Sequence, residues 1–199
     1  MRLIPAIALA STLALAACNQ AAPPADNVAT DDMAATTGND MMADPAMNGA
    51  ANGAAPAMNF AGGDGTALGS VTAADSPAGL VLTLAGSGMP GGVHGVHLHA
   101  VGKCDGPKFE SAGAHFNPDS KMHGKKNPQG PHQGDLPNIS VGPNGSATDK
   151  LTAAGVTMAS LQDADGTALV IHAKADDYKT DPSGDSGDRI ACTVVAAPR

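Results

Sequence analysis

The sequence predicts an all-β domain folded as an antiparallel sandwich or barrel, and three observations support this class. Beyond residue 58, short apolar runs alternate with turns rich in glycine and proline, of which the 199 residues contain 25 and 15. No segment shows a sustained helical periodicity. Asp64-Gly65, Asn144-Gly145 and Asp165-Gly166 are dipeptides that favour tight turns between strands. Many short strands joined by such turns are typical of antiparallel sheets.

Seven apolar runs have the length of a strand, and a weakly patterned run precedes them near Met58–Gly62. Thr157–Leu161 has the length of a single helical turn. The seven predicted strands are Thr66–Ala73, Gly79–Ser87, Val93–Val101, Ile139–Val141, Ser146–Leu151, Thr167–Ala173 and Arg189–Ala196.

Two segments are too long to be ordinary hairpin connections. Gly102–Pro137 contains glycine, proline, lysine and four candidate metal ligands, and Lys174–Asp188 is polar and rich in glycine. Long loops without secondary structure are commonly functional. Because both adjoin strands that carry histidine, we expect them to form the functional site.

The N-terminus has the pattern of an export signal. Residues 1–17 carry one positive charge, at Arg2, followed by an apolar run that is too short and too rich in alanine for a membrane span. The run ends in Leu15-Ala16-Ala17-Cys18, which resembles the lipobox of bacterial lipoproteins and implies lipidation of Cys18. Asn19 follows this cysteine, so we expect the outer membrane rather than retention at the inner one. If Cys18 serves as the lipid anchor, two of the three cysteines remain, Cys104 and Cys192, an even number that is compatible with a disulfide in an exported protein.

Residues 18–57 are expected to be a disordered tether rich in alanine, aspartate and methionine, because they contain little that can be buried. Its methionines are soft ligands that suit Cu(I), so the tether is either a copper-collecting arm or low-complexity sequence that tolerates methionine. Residues 58–199 suffice for one domain. That domain carries ten basic and fourteen acidic residues, and the whole chain has a net charge of −8. Neither value suits a nucleic-acid-binding surface.

The histidines are concentrated in the predicted domain and fall into two sets. His97 and His99 are two apart in a predicted strand, so their side chains share a face. His172 lies in the apolar strand ALVIHA, where its ring requires a partner. With His115 from the long loop, these residues provide four nitrogens, which suit Cu(II).

The second set lies within the first long loop. His115, His123, His132 and Asp135 provide three nitrogens and a carboxylate, which suit tetrahedral zinc. His115 belongs to both sets, and sharing it requires one ring nitrogen on each ion. The sequence therefore predicts one copper and one zinc ion bridged by a histidine.

Several motifs resemble those of the copper/zinc superoxide dismutases of the exported bacterial type. GVHLHAVGKC at 95–104 is similar to the first signature of that family, and GDSGDRIACTVV at 184–195 is similar to the second. Between them SAGAHFNP, HGKKNPQGPH and GDLPNI occur in the family's order. The resemblance covers residues 60–199 and implies an eight-stranded Greek-key barrel or sandwich, immunoglobulin-like, with two long active-site loops.

The resemblance also implies a role for each candidate residue. His97, His99, His115 and His172 would bind copper, and His115, His123, His132 and Asp135 would bind zinc. Arg189 would attract and orient the substrate anion, Asp176 would link a copper histidine to a zinc histidine, and Cys104 would pair with Cys192. His94 would brace the metal loop. Asp177 competes with Asp176 for its role, and Lys103, Lys125, Lys126 and Lys179 are either steering or solubilising charges.

The function implied is that of a superoxide dismutase, which converts superoxide to oxygen and hydrogen peroxide by copper redox cycling and protects the cell envelope. Arg189 and His115 would be its catalytic residues. We expect a periplasmic, lipid-anchored monomer or homodimer. The alternative is a non-catalytic copper-binding or copper-buffering lipoprotein on the same fold. A purely structural envelope protein would leave His172 and the shared His115 unexplained.

Overall fold

The computed structural model describes residues 55–199, in which strands dominate. The predicted signal segment 1–17, Cys18 and residues 18–54 of the predicted tether lie outside the described residues. Between residues 55 and 199, no helix has the length and apolarity needed to span a bilayer. The strands are β1 (Met58–Gly62), β2 (Ala67–Ser76), β3 (Gly79–Gly86), β4 (Gly92–His94), β5 (Val96–His99), β6 (Ile139–Val141), β7 (Ala147–Ala153), β8 (Thr167–His172) and β9 (Arg189–Ala196), and the helix is α1 (Met158–Leu161).

Seven of these strands form one curled antiparallel sheet, in the order β5-β8-β9-β1-β2-β3-β7, and β4 pairs separately with β6. The predicted all-β antiparallel class is therefore confirmed. The weakly patterned first strand also forms: β1 pairs with β2 from Met58 to Ala61 and with β9 through Ala61 and Gly62. The predicted helical turn is α1, in which Thr157 and Ser160 exchange the hydrogen bonds of a capping box.

One predicted strand is divided in two. Val93–Val101 was expected to be continuous, but β4 ends at His94 and β5 starts at Val96. The backbone N–H of Gly95 donates to the oxygen of Lys174 at 2.8 Å, and its carbonyl accepts from the N–H of His172 at 2.9 Å. These bonds direct the chain from the small sheet into the large one. The described residues therefore contain nine strands rather than the eight expected.

β5 and β8 place apolar and histidine side chains on opposite faces. Val96 and Leu98 are completely buried in the main core, and the intervening His97 and His99 face the first long loop. β8 is buried along its whole length. Its Leu169 and Ile171 join the main core, whereas Ala168 and Val170 pack with Phe109, Ala112 and Cys192 on the loop side. The loop therefore covers the histidine-bearing face of the sheet.

Two constraints hold this loop on the sheet. A disulfide joins Cys104 to Cys192 of β9 across 88 residues of sequence. Isolated bridges pair His97 with Asp135 and His99 with His115. Apart from a three-residue 3-10 helix, Glu110–Ala112, the segment between β5 and β6 has no helix and no strand. The loop histidines are thereby held beside those of β5.

Candidate metal centre

Four histidines converge on one point at the loop-covered face of the sheet. His97 and His99 come from β5, His172 ends β8 opposite Arg189, and His115 comes from the loop. Each offers one ring nitrogen, and these four nitrogens lie within 4.8 Å of one another. All four residues are buried, with 0–7% of their surface exposed. The predicted copper ligands are thus brought together, and we call them the first set.

The convergent nitrogens of the first set have no hydrogen-bond partner. They are Nδ1 of His97 and Nε2 of His99, His115 and His172. The opposite nitrogen of His99 donates to the carbonyl of Gly113 at 2.9 Å, and that of His172 donates to the carbonyl of Gly187 at 3.1 Å. Since a carbonyl only accepts, the proton of each ring is on Nδ1 and the lone pair of Nε2 faces the centre. Buried nitrogens without partners are costly unless a ligand completes them, so the donor set fits a metal ion.

The remaining predicted ligands surround a second point. Oδ1 of Asp135 lies 3.1 Å from Nδ1 of His115, 3.0 Å from Nδ1 of His123 and 3.2 Å from Nδ1 of His132. Nδ1 of His132 is 3.4 Å from Nδ1 of His115. Ligands about 2.0–2.1 Å from a tetrahedral ion stand roughly 3.3 Å apart, so these separations fit zinc. Nδ1 of His123 faces Oδ1 of Asp135 without a hydrogen-bond partner, as a nitrogen that is to hold an ion would. We call these four residues the second set.

His115 is the ring that both sets share. Its Nε2 belongs to the first set and its Nδ1 to the second. His97 also stands close to the second set. Its ring stacks on that of His115 with centroids 4.0 Å apart, and one of its nitrogens lies within 4.8 Å of a ring nitrogen of His115, one of His123 and a carboxylate oxygen of Asp135. Its free Nδ1 is one of the four convergent nitrogens of the first set. The two sets are therefore adjacent and joined through one imidazole.

Asp176, rather than Asp177, connects the two sets through ring nitrogens that do not face the centres. Its Oδ2 accepts from Nε2 of His97 at 2.9 Å and its Oδ1 accepts from Nε2 of His123 at 3.0 Å. Asp177 is exposed and instead accepts from Lys179 and Thr180. Asp176 thus fixes the orientation of one ring in each set, as second-layer carboxylates do in metal sites.

Sequence reasoning missed the residue that positions Asp176. The side chain of Asn138 accepts from the Asp176 N–H and donates to the Asp176 carbonyl, both at 2.9 Å. The phenol of Tyr178 accepts from the Asn138 N–H at 2.7 Å. Asn138 lies within the motif GDLPNI, but nothing in its local sequence indicates a partner 38 residues away. A Cβ at Gly184 would overlap the Asp176 carboxylate. The absence of a side chain at Gly184 therefore allows its backbone to approach that carboxylate closely.

Burial sets the protonation of most of these rings. Desolvation lowers the pKa of His97 to about 3, that of His99 to about 2 and that of His172 to about 4. Burial also lowers the pKa of His115, against the effect of Asp135. These rings are neutral near pH 7, which is the form that binds metal.

The second set differs because it contains carboxylates. Burial disfavours the charged form of His123, but its contacts with Asp135 and Asp176 outweigh burial and raise the pKa of His123 to about 9. Burial would raise the pKa of Asp135 and Asp176, yet the contacts with His115 and His123 hold the pKa of Asp135, and the hydrogen bonds from His123 and His97 hold that of Asp176, well below the ordinary carboxyl range. In the absence of metal, His123 is therefore a cation between two carboxylates.

Arg189 faces the first set across a cavity of about 480 Å³. Its guanidinium donates to the carbonyls of Phe109 at 2.6 Å and Gly113 at 2.7 Å, which fixes its direction. The cavity is also lined by His99, His115 and His172. None of Lys103, Lys125, Lys126 and Lys179 lines it. The site therefore combines three metal-ligand rings with one oriented cation, and the carboxylate of Glu110 also lines the cavity.

His94 stays outside both sets, as expected, but its ring contacts the end of β8 and the turn before β4 rather than the metal loop. It is buried, and its ring nitrogens lie 2.8 Å from the carbonyl of His172 and 2.9 Å from that of Pro90. These contacts tie the turn before β4 to the end of β8. His94 thus supports the first set through the backbone of one of its members.

The fold and the site together define a β-sheet metalloprotein with two adjacent ion sites bridged by a histidine. The family model described as copper/zinc superoxide dismutase matches residues 67–195. The chain is 43% identical to superoxide dismutase [Cu-Zn] 1 of Aquifex aeolicus over 137 residues, which cover 66% of this chain and 81% of the relative. It is 41% identical to superoxide dismutase [Cu-Zn] of Caulobacter vibrioides over 140 residues, 67% of this chain and 80% of the relative.

Solved structures agree with this relationship. A superoxide dismutase-like protein from Bacillus subtilis superposes with a TM-score of 0.67 at 38% identity, covering 70% of this chain and 97% of the other. The Cu/Zn superoxide dismutase from Brucella abortus superposes with a TM-score of 0.60 at 26% identity, covering 70% and 98%. The chain belongs to the copper/zinc superoxide dismutase family.

Proposed function

We propose that the chain is a superoxide dismutase that uses one copper and one zinc ion and converts superoxide to oxygen and hydrogen peroxide. The observation that carries this proposal is the bridging position of His115, with one nitrogen in each set of ligands. The first set provides four nitrogens without partners, which suit copper. The second provides three histidines and a carboxylate at tetrahedral separations, which suit zinc.

The protein residues bind and orient the reactants. When bound, copper supplies one-electron redox chemistry, and zinc supplies a fixed charge that holds the loop. Arg189 attracts superoxide into the cavity, and its two carbonyl contacts hold the guanidinium in the cavity that His99, His115 and His172 also line. His115 would offer Nε2 to copper and Nδ1 to zinc. Asp176 fixes the ring orientations of His97 and His123.

Family membership and the cavity make the alternative, a non-catalytic copper-buffering protein, the weaker hypothesis. Storage of copper requires the ligands but not a solvent-filled cavity with an oriented cation beside them. In this chain the first set retains four histidines, and three of them line the cavity with Arg189. This combination favours turnover of a small anion.

The proposal also covers the cellular context. We infer that residues 1–17 direct export, that Cys18 is lipidated, and that residues 18–57 tether the domain 58–199 to the cell envelope, with the outer membrane preferred. The apolar run ending in Leu-Ala-Ala-Cys supports the anchor, and a disulfide supports an oxidising compartment. A monomer and a homodimer fit equally well.

Metal content and superoxide dismutation by the purified chain test the enzymatic proposal. We expect one copper and one zinc per chain, with dismutation approaching diffusion-limited rates, a behaviour for which this family is itself a standard example. Bound copper without dismutation would support the buffering hypothesis instead. Cys18→Ser tests the anchor: it should move the protein from the membrane fraction to the soluble fraction without changing specific activity.

A further inference from the structure

The two ligand sets reach solvent through different cavities. The cavity of about 480 Å³ beside Arg189 is lined by members of the first set. A second cavity, of about 180 Å³, which we call the zinc-side cavity, is lined by His132 and Asp135 of the second set and by residues of the loop and of β7 and its end. No residue lines both cavities. The other lining residues of the zinc-side cavity are Asp119, Lys121, Lys125, Pro131, Gln133, Thr152 and Ala154.

Two rings of the second set are slightly exposed: His132 at the zinc-side cavity, and the shared His115, 5% exposed, at the Arg189 cavity. The side chain of His132 is 7% exposed, whereas those of His123 and Asp135 are fully buried. From the opposite side the second set is screened by His97, which is fully buried and stacks on His115. The Arg189 cavity meets the second set only at His115, and neither His123, His132 nor Asp135 lines it. An ion arriving through the zinc-side cavity meets His132 first.

We propose that zinc enters and leaves through the zinc-side cavity, past Lys121 and Lys125, independently of the cavity that serves the first set. This inference rests on the proposed zinc assignment. The two ammonium groups oppose the approach of a free divalent cation. Carboxylates stand nearby: Asp181 lies 3.9 Å from Nε2 of His132, and Asp119 accepts from Gln133 at 2.8 Å. The balance of these charges therefore sets the rate of zinc exchange.

A pair of matched steric variants tests the route. Ala154 is exposed and lines the zinc-side cavity, and Ala114 is exposed and lines the Arg189 cavity. Ala154→Trp should slow zinc uptake and zinc release several-fold and equally, leaving the dissociation constant unchanged, because a plug affects both directions alike. Ala114→Trp should leave zinc exchange unchanged and slow removal of copper.

Two measurements follow the exchange. Co²⁺ added to the full-length chain carrying copper alone reports uptake through the visible absorbance of the tetrahedral ion. Release is followed from the fully loaded chain into excess 4-(2-pyridylazo)resorcinol. Neither measurement depends on dismutase activity. Circular dichroism confirms that each variant is folded.

A pair of charge variants provides the second test. Lys121→Glu should accelerate Co²⁺ uptake at low ionic strength by about tenfold, and added salt should reduce the effect. Lys108→Glu makes the same charge change beside Arg189, where Lys108 lines the neighbouring surface. It should leave Co²⁺ uptake unchanged.

The possible outcomes distinguish a wrong route for zinc from a wrong assignment of the second set to zinc. Slower exchange in Ala114→Trp with normal exchange in Ala154→Trp would overturn the inference and indicate entry through the first set. Unchanged exchange in both variants would overturn it as well. A wild-type chain that takes up no Co²⁺ would contradict the zinc assignment itself, and with it the proposed function.

Discussion

One side chain, Arg189, places a positive charge in the cavity that an anionic substrate would enter. The net charge of −8 opposes superoxide, but fields of exposed charges are screened beyond about 8 Å at physiological salt. Arg189 stands in the cavity itself, anchored by Phe109 and Gly113. Glu110 also lines this cavity, so the field that superoxide meets depends on Arg189 and the bound ions against that one nearby carboxylate, and the distant charges contribute little.

Arg189→Ile should lower kcat/KM for superoxide by about tenfold to a hundredfold, because the steering charge is lost. Copper content should remain at one per chain, since Arg189 ligates nothing. Arg189→Lys keeps the charge but loses the paired carbonyl contacts, so its activity should be intermediate. Pulse radiolysis at several ionic strengths measures the effect. Wild-type kinetics in the isoleucine variant would contradict the steering role.

Asp176→Asn should weaken zinc binding by about 10–100-fold, the usual effect of removing an orienting partner. An amide oxygen can replace one carboxylate oxygen, but the amide nitrogen would then oppose an N–H of His97 or His123. Competition with a chelator measures the zinc affinity. Asp177→Asn is the matched control, since Asp177 is exposed and contacts neither ring; an equal loss in both variants would show that the effect is not specific to Asp176.

At the scale of elements, the strands were predictable and the junction between them was not. Alternation in VHLH and the apolar run ALVI predict β5 and β8 and the face that carries His97 and His99. The break at Gly95 depends on Lys174 and His172, nearly eighty residues away, so no local pattern reports it. The ligand identities follow from spacing and family resemblance. The contacts that orient the residues around the ligands are tertiary and have no local signature. They join Asn138 to Asp176, and Arg189 to Phe109 and Gly113.

The disulfide connects the loop to β9 close to the carbonyls that hold Arg189. Replacing both Cys104 and Cys192 by serine should lower the free energy of unfolding of the metal-free chain by up to about 4–5 kcal/mol, the chain-entropy value for a closed segment of this length. Urea unfolding measures this loss. With metals bound, the variant should also lose activity, because Phe109 and Gly113 are freed to move. Activity at the wild-type level would show that metal coordination alone positions the loop.

At the scale of the whole molecule, charge of both signs is gathered at the metal-binding end, where the two long loops and Arg189 carry eight basic and nine acidic residues. Most lysines and Arg189 lie in the two long loops or at their boundary, and the strands away from the site carry few cations. The positive loop residues are Lys103, Lys108, Lys121, Lys125, Lys126, Lys174, Lys179 and Arg189. The same loops contain the buried carboxylates Asp135 and Asp176, whose charge the metal ions offset. The loaded protein is therefore more positive at this end than its sequence charge indicates.

The stability of the metal-free chain should have a maximum near the ordinary histidine pKa of about 6.5. His97, His99 and His172 have folded pKa values of about 3, 2 and 4, so below pH 6.5 the unfolded chain binds protons that the folded chain does not. The free energy of unfolding therefore falls as the pH decreases below 6.5, most steeply between about 4 and 6. His123 acts in the opposite direction: its folded pKa of about 9 contributes stability at low pH that is lost as the pH rises from 6.5 through 9.

Urea unfolding of the metal-free full-length chain from pH 4 to pH 10 measures this profile. With copper and zinc bound, the first set cannot take up protons until the ions leave, so the acid limb should shift to lower pH. The alkaline limb should disappear, because zinc replaces the His123 proton. A metal-free profile that is flat between pH 4.5 and 6.5 would show that the three histidines of β5 and β8 are not held neutral by burial. Their nitrogens would then not be preorganised for an ion.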